Sequence, residues 1–147
     1  MNVGRTRATV VGTALAGAAG LALISPASPA LAFLSGGLHL DVTVQSPATL
    51  VARGAAVDVP VDVDCNSAQQ VELSLTVTER VGSQTASGST FVPESCSGGH
   101  QRFLIRVTAG SGKAFAKGTA VATASIFGCN NTTCGQDSNS ATIQVRK

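Results

Sequence analysis

The chain has 147 residues, 44% hydrophobic, 12% charged and 3% aromatic, with no Trp or Tyr and a formal net charge of +2. Arg5 and Arg7 supply that whole excess, because everything after them carries eight basic and eight acidic side chains. A neutral body offers no electrostatic ground for nucleic acid or an anionic membrane as partner, so neither is expected.

The first stretch does not read as part of a domain. Arg5 and Arg7 precede the uncharged small and apolar run Ala8 to Ile24, then come Ser25-Pro26-Ala27-Ser28-Pro29 and Ala30-Leu31-Ala32. Those three parts, in that order, predict a secretory signal peptide over residues 1–32, cut at an A-x-A site. Thr6 separates the two arginines, which argues against a twin-arginine route. The following 115 residues, 33–147, suit one domain with a real core. They contain no further apolar run of spanning length, so the exported product is expected to be secreted and extracellular, with no stable membrane anchor after cleavage.

Within 33–147 the dominant pattern is alternation. Leu38, Leu40, Val42 and Val44 alternate with polar residues up to Ser46-Pro47, and Thr49 to Val51 forms a short extended piece. Ala55 to Asp64 is the central strand, with valine at 57, 59, 61 and 63 and with Asp58, Pro60, Asp62 and Asp64 on the other face. Pro60 lacks a ladder donor, so one side of this strand is expected to be unpaired or bulged there. Asn66 to Gln69 predicts a turn before the clean alternation of Val71, Leu73, Leu75 and Val77.

A weak strand over Thr85 to Val92 stops at Pro93, and Cys96-Ser97-Gly98-Gly99 predicts another turn. Phe103, Ile105 and Val107 then face one way, and Arg102, Leu104 and Arg106 the other. Thr119 to Phe127 is extended but ambiguous: its alanines can fill a narrow interior, or both faces can be covered. A loop over Gly128 to Asn139 precedes the last strand, which carries Ala141, Ile143 and Val145. About seven strands and no helical period predict an all-β, immunoglobulin-like antiparallel β-sandwich.

Cys65, Cys96, Cys129 and Cys134 all fall in the exported part. An even count in an oxidising compartment predicts two disulfides, and order along the chain favours Cys65 with Cys96 and Cys129 with Cys134. One close pair without a second does not make a zinc site, so no metal is expected.

Nothing assembles into a catalytic set. His39 and His100 lie on a strand and in a glycine-rich turn, neither in a nucleophile-elbow context, and every thiol is committed, so no enzyme activity and no cofactor are expected. Asp58, Asp62 and Asp64 on one face could hold a cation, but without a D-x-D-x-D-G loop they read as the wet face, with Arg102 and Arg106 available to pair with them. Stacking ligands need exposed aromatics. Of Phe33, Phe91, Phe103, Phe115 and Phe127, most are expected in the core, with Phe127 the candidate for a ligand pocket beside the cysteine loop. Asn130-Asn131-Thr132-Thr133 contains two overlapping glycosylation sequons; the style of the signal peptide suggests a bacterial source, where such matches carry little weight.

The stretch Ser125-Ile126-Phe127-Gly128-Cys129-Asn130-Asn131-Thr132-Thr133-Cys134-Gly135-Gln136-Asp137-Ser138 resembles small secreted proteins of high-G+C Gram-positive bacteria, mostly of unassigned activity. It also resembles the neocarzinostatin-type apoproteins, whose later disulfide closes a C-x4-C loop as Cys129 and Cys134 would. Their earlier disulfide spans a shorter loop than Cys65 and Cys96 would. A disulfide-pinned sandwich that displays loops and has no catalytic set is expected to be a secreted, non-enzymatic binding or interaction domain for an extracellular protein or small molecule, with a small secreted enzyme as a lesser alternative. The neocarzinostatin-type resemblance implies a small-molecule carrier.

Overall fold

Side chains branched at Cβ, placed at every second position, favour pleated backbone over helix because the helix restricts their χ1. The computed structural model, which describes residues 38–110 and 112–147 without the side chains at 67–69, is accordingly built from six strands. They are β1 (Leu40–Val44), β2 (Ala48–Val51), β3 (Ala56–Val81), β4 (Gln84–Thr108), β5 (Gly118–Cys129) and β6 (Cys134–Arg146). A 3-10 turn at Ala52–Gly54 joins β2 to β3, and no α-helix occurs among the described residues. The expected signal peptide over 1–32, and the lead-in from Phe33, lie outside the described residues.

Six strands stand where the sequence predicts about seven, because two expected turns are not turns. β3 is 26 residues long and runs on through 66–69, its ladder slipping where Cys65 pairs with Gly99 and Ala68 with Ser97. Extra residues on one side of a ladder bend a strand without ending it. β4 continues through Pro93 and through Cys96 to Gly99 in the same way. Gly98 and Gly99 take φ of 91° and 71° there, a region closed to most side chains. Across Gly98 the inward positions of β4 change from even, as at Ala86 and Cys96, to odd, as at Ile105 and Val107.

β3 is the spine of the sheet. Its first half pairs with β1 and β2 on one side, its second half with β5, and β4 follows the other side throughout. β6 pairs with β5 and also, in parallel, with β2, at Ala48 with Val145. The circuit β3–β2–β6–β5 therefore closes on itself, and the sheet is not wholly antiparallel as expected. Four strands antiparallel in turn would bring β2 and β6 together head to tail. Their parallel contact means that β3 counts twice, its direction changing at the bulge.

Pro60 sits where its missing N–H costs nothing. β1 leaves β3 at Val44 opposite Val61, and β2 rejoins it at Thr49 opposite Asp58, so the proline nitrogen meets the gap while its carbonyl accepts from Gln45 N–H at 2.9 Å. The outer edge of β1 is closed by side chains. Val42 N–H donates to Asp137 Oδ2 at 2.8 Å and Val44 N–H to Asn139 Oδ1 at 3.1 Å, so β6 carboxylate and amide oxygens stand in for a ladder.

The core lies inside the circuit. Val57, Val59, Val61 and Val63 are fully buried and belong to one core cluster with Leu73, Leu75 and Val77 from the other half of β3. Ala120, Ala122, Ala124 and Ile126 of β5 are buried while Val121 and Phe127 are exposed, so the ambiguous strand has one inner face, filled by small residues. Cys65 is bonded to Cys96 at the bulge, both buried, and Cys129 to Cys134 at the β5–β6 connection, both exposed. That connection is only 130–133, much shorter than the predicted loop over 128–139. Asn130 Oδ1 accepts from the N–H groups of Thr132 and Thr133 at 2.9 and 2.8 Å, which lets the hairpin close tightly.

Candidate functional site

The alternation that buries one face of each strand presents the other, and the two outer faces so produced differ sharply in chemistry. Beside the first half of β3 the face is charged. Arg106 Nε and Nη2 donate to Asp58 at 2.7 and 2.8 Å, and Arg102 Nε and Nη2 to Asp62 at 2.6 and 2.8 Å. These pairs lie directly across the β3–β4 ladder, and the guanidinium covers each carboxylate to 8% exposure. The hydrogen bonds and charge of Arg106 and Arg102 hold the carboxyls of Asp58 and Asp62 below the usual aspartate range, against an opposing contribution from burial.

Asp64 lies across from Asp41 on one side and His100 on the other, and His100 Nε2 is 3.9 Å from Asp62 Oδ1. The three aspartates raised as a cation site are thus divided: two are locked to arginines, and the third stands apart. No group of three or more metal-capable side chains is found among the described residues. His39 is exposed, and its backbone N–H donates to Asn66 Oδ1 at 3.2 Å. All four cysteines are in disulfides.

The face over the second half of β3 is of another kind. Adjacent rows run from β6 through β5 and β3 to β4: Gln136, Phe127, Glu72, Pro93 in one, and Ser138, Ser125, Ser74, Phe91 in the next. Further rows continue with Ser140, Thr123, Thr76 and Ser89, then Thr142, Val121, Thr78 and Ser87. Hydroxyls dominate; Glu72 and Arg80 stand at opposite ends of the β3 run, and Arg146 ends the outer positions of β6. Ser74 and Ser125 hydroxyls are 2.7 Å apart, Thr123 and Ser140 hydroxyls 2.9 Å, and Gln144 Nε2 donates to Thr119 Oγ1 at 3.1 Å. Each hydroxyl has one donor and two acceptor sites, so a cross-strand pair is held in place with most of its capacity unspent.

Two phenylalanines break this surface. Phe91 is 62% and Phe127 45% exposed. A groove of about 430 Å³ runs between Phe127 and β6, lined by Ser125, Gln136 and Ser138, and another of about 290 Å³ separates it from Glu72 and Pro93 and reaches Cys129. Among the described phenylalanines only Phe115 is fully in the core, with Phe103 partly buried, so the expectation that most are core is corrected. Phe91 was legible in principle: it alternates with Val92, which faces inward in β4, but Pro93 hides the strand that sets that parity.

No protein-family model matches the chain, and no curated protein does. Among solved structures it is similar to AggA, the major subunit of aggregative adherence fimbriae type I from Escherichia coli, at 12% identity and a TM-score of 0.41, over 74% of this chain and 93% of that one. It is also similar to Spo0M, a sporulation control protein from Bacillus subtilis, at 13% identity and a TM-score of 0.35, over 76% of this chain and 50% of that one.

Proposed function

We propose that this chain is a secreted, extracellular, non-enzymatic binding domain whose contact surface is the hydroxyl-lined face around Phe127. The observation that carries the reading is the pair of exposed phenylalanines on a face made mostly of hydroxyls, which also carries the exposed Val121. Exposing a large apolar side chain forgoes about 1.5–3 kcal/mol of burial, and two together on one face mark a contact surface. The signal peptide over 1–32 and the two disulfides support export. The sandwich reading is retained here too. β1, β2, the first half of β3 and the second half of β4 make one layer, and the other halves with β5 and β6 make the second. The parallel contact between β2 and β6 supports it, since it needs β3 to reverse between layers.

A small-molecule carrier of the neocarzinostatin type is the alternative. It is favoured by the groove that touches both Phe127 and Cys129. Native mass spectrometry of wild-type and Phe127→Ser protein, both recovered from the growth medium of the producing host, tests the proposal. A partner or adduct carried by wild-type and missing from the variant is expected. Two bare proteins of the expected masses would count against it.

A further inference from the structure

Resting on the binding-domain reading, we infer that the ligand of this face is a neutral polysaccharide, laid across β5, β3 and β4 with Phe127 and Phe91 stacking on two different sugars. Three features select that chemistry. First, recognition of sugar hydroxyls needs groups that both give and accept hydrogen bonds, and Ser and Thr do so where ionised side chains do only one. The Ser74–Ser125 and Thr123–Ser140 pairs fix such groups in rows at known positions.

Second, Glu72 is the one charged side chain in the rows that hold the phenylalanines, with Arg80 and Arg146 at the far end of the face, while the opposite face concentrates Asp58, Asp62, Asp64, Arg102 and Arg106. An anionic or cationic polymer would find few counter-charges here, whereas a neutral one loses nothing by desolvation of its own ions. Third comes spacing. Phe127 and Phe91 stand two strands apart and one alternate position out of register, with Glu72 and Ser74 of β3 between them. Strand spacing and rise put their Cα atoms roughly 12 Å apart. That is too far for two rings to sandwich one sugar, and it suits two sugars of one extended chain, with the Ser74 hydroxyl and the Glu72 carboxylate between them to accept from sugar hydroxyls. A ring face beside a sugar's C–H groups removes apolar surface of both from water, which gives the phenylalanines their share of affinity.

Retention of the exported protein on microcrystalline cellulose, chitin and insoluble starch, with alginate beads as the charged control, tests the inference. Wild-type protein should be held by one or more of the neutral polymers and pass alginate. Phe91→Ala and Phe127→Ala should each weaken retention about tenfold, which corresponds to about 1.4 kcal/mol. Arg102→Gln with Asp62→Asn, on the opposite face, should leave it unchanged. Circular dichroism of each variant separates a lost contact from a lost fold. Passage through all three neutral polymers, equal retention of the phenylalanine variants, or preference for alginate would each overturn the inference. If the polymers fail while the native mass spectra still show a partner lost with Phe127→Ser, the binding-domain reading stands and the glycan assignment alone falls.

Discussion

Removing the Cys65–Cys96 disulfide by a double replacement with Ala should be the more costly of the two disulfide deletions. The sulfurs close a loop with a sequence separation of 31, for which chain-entropy arguments give about 3.7 kcal/mol of stabilisation. Both cysteines are buried, at 0% and 1% exposure, so deleting the sulfurs also opens a small void worth about 1 kcal/mol. The sum is about 4–5 kcal/mol. The Cys129–Cys134 bridge has a separation of 5 and is exposed, so its removal should cost only about 2 kcal/mol. Guanidinium unfolding followed by far-ultraviolet circular dichroism suits a chain without Trp or Tyr. At a denaturant slope of about 4 kcal/mol/M the midpoint should fall by about 1 M for the first variant and half that for the second. Equal losses, or the reverse order, would refute the view that the bulge disulfide pins the two halves of β3 and β4 together.

Other expectations follow from named contacts. Mild reductant without denaturant should open Cys129–Cys134 well before the buried Cys65–Cys96, which peptide mapping after alkylation reads directly. Asp58 and Asp62 have folded pKa values below their unfolded ones, so their stabilisation is complete above the ordinary aspartate value of about 4 and is lost as pH falls from there through the lowered folded values. The double variant Asp58→Asn with Asp62→Asn should therefore show a flatter melting temperature between about pH 5 and pH 2 than wild type, and an unchanged slope would contradict the pairing. Glu79 is 3% exposed and accepts the Ala116 N–H at 2.9 Å, so Glu79→Ala should cost about 1–3 kcal/mol and speed hydrogen exchange at Ala116. Exchange at wild-type rate there would show that the carboxylate does not hold the segment.

The strands with uninterrupted alternation were readable because burial on one face leaves a period-2 trace at every residue. Val57 to Val63 and Val71 to Val77 carry it plainly, and the four cysteines announced the disulfides. Continuity was not readable. A bulge at 66–67 and glycines at 98 and 99 resemble turn signals, since both need unusual local backbone, and only the ladder tells bending from ending. The short 130–133 connection was hidden for a related reason: Gly135 to Asn139 has turn-like composition yet lies in β6, where Asp137 and Asn139 serve the edge of β1. At the candidate site, Phe127 was singled out from its place beside the cysteines. Phe91 and the hydroxyl rows were not, because a row exists only once registers across four strands are known.

Chemical shifts of the isotope-labelled protein, followed during titration with soluble oligosaccharides of cellulose, chitin and starch in turn, bear most directly on the proposed contact face. The account predicts shifts concentrated at Phe91, Phe127, Ser74, Ser125 and Thr123, with the Asp58 to Arg106 face undisturbed. Shifts gathered around Asp62, Asp64 and His100, or none at the phenylalanines, would contradict it.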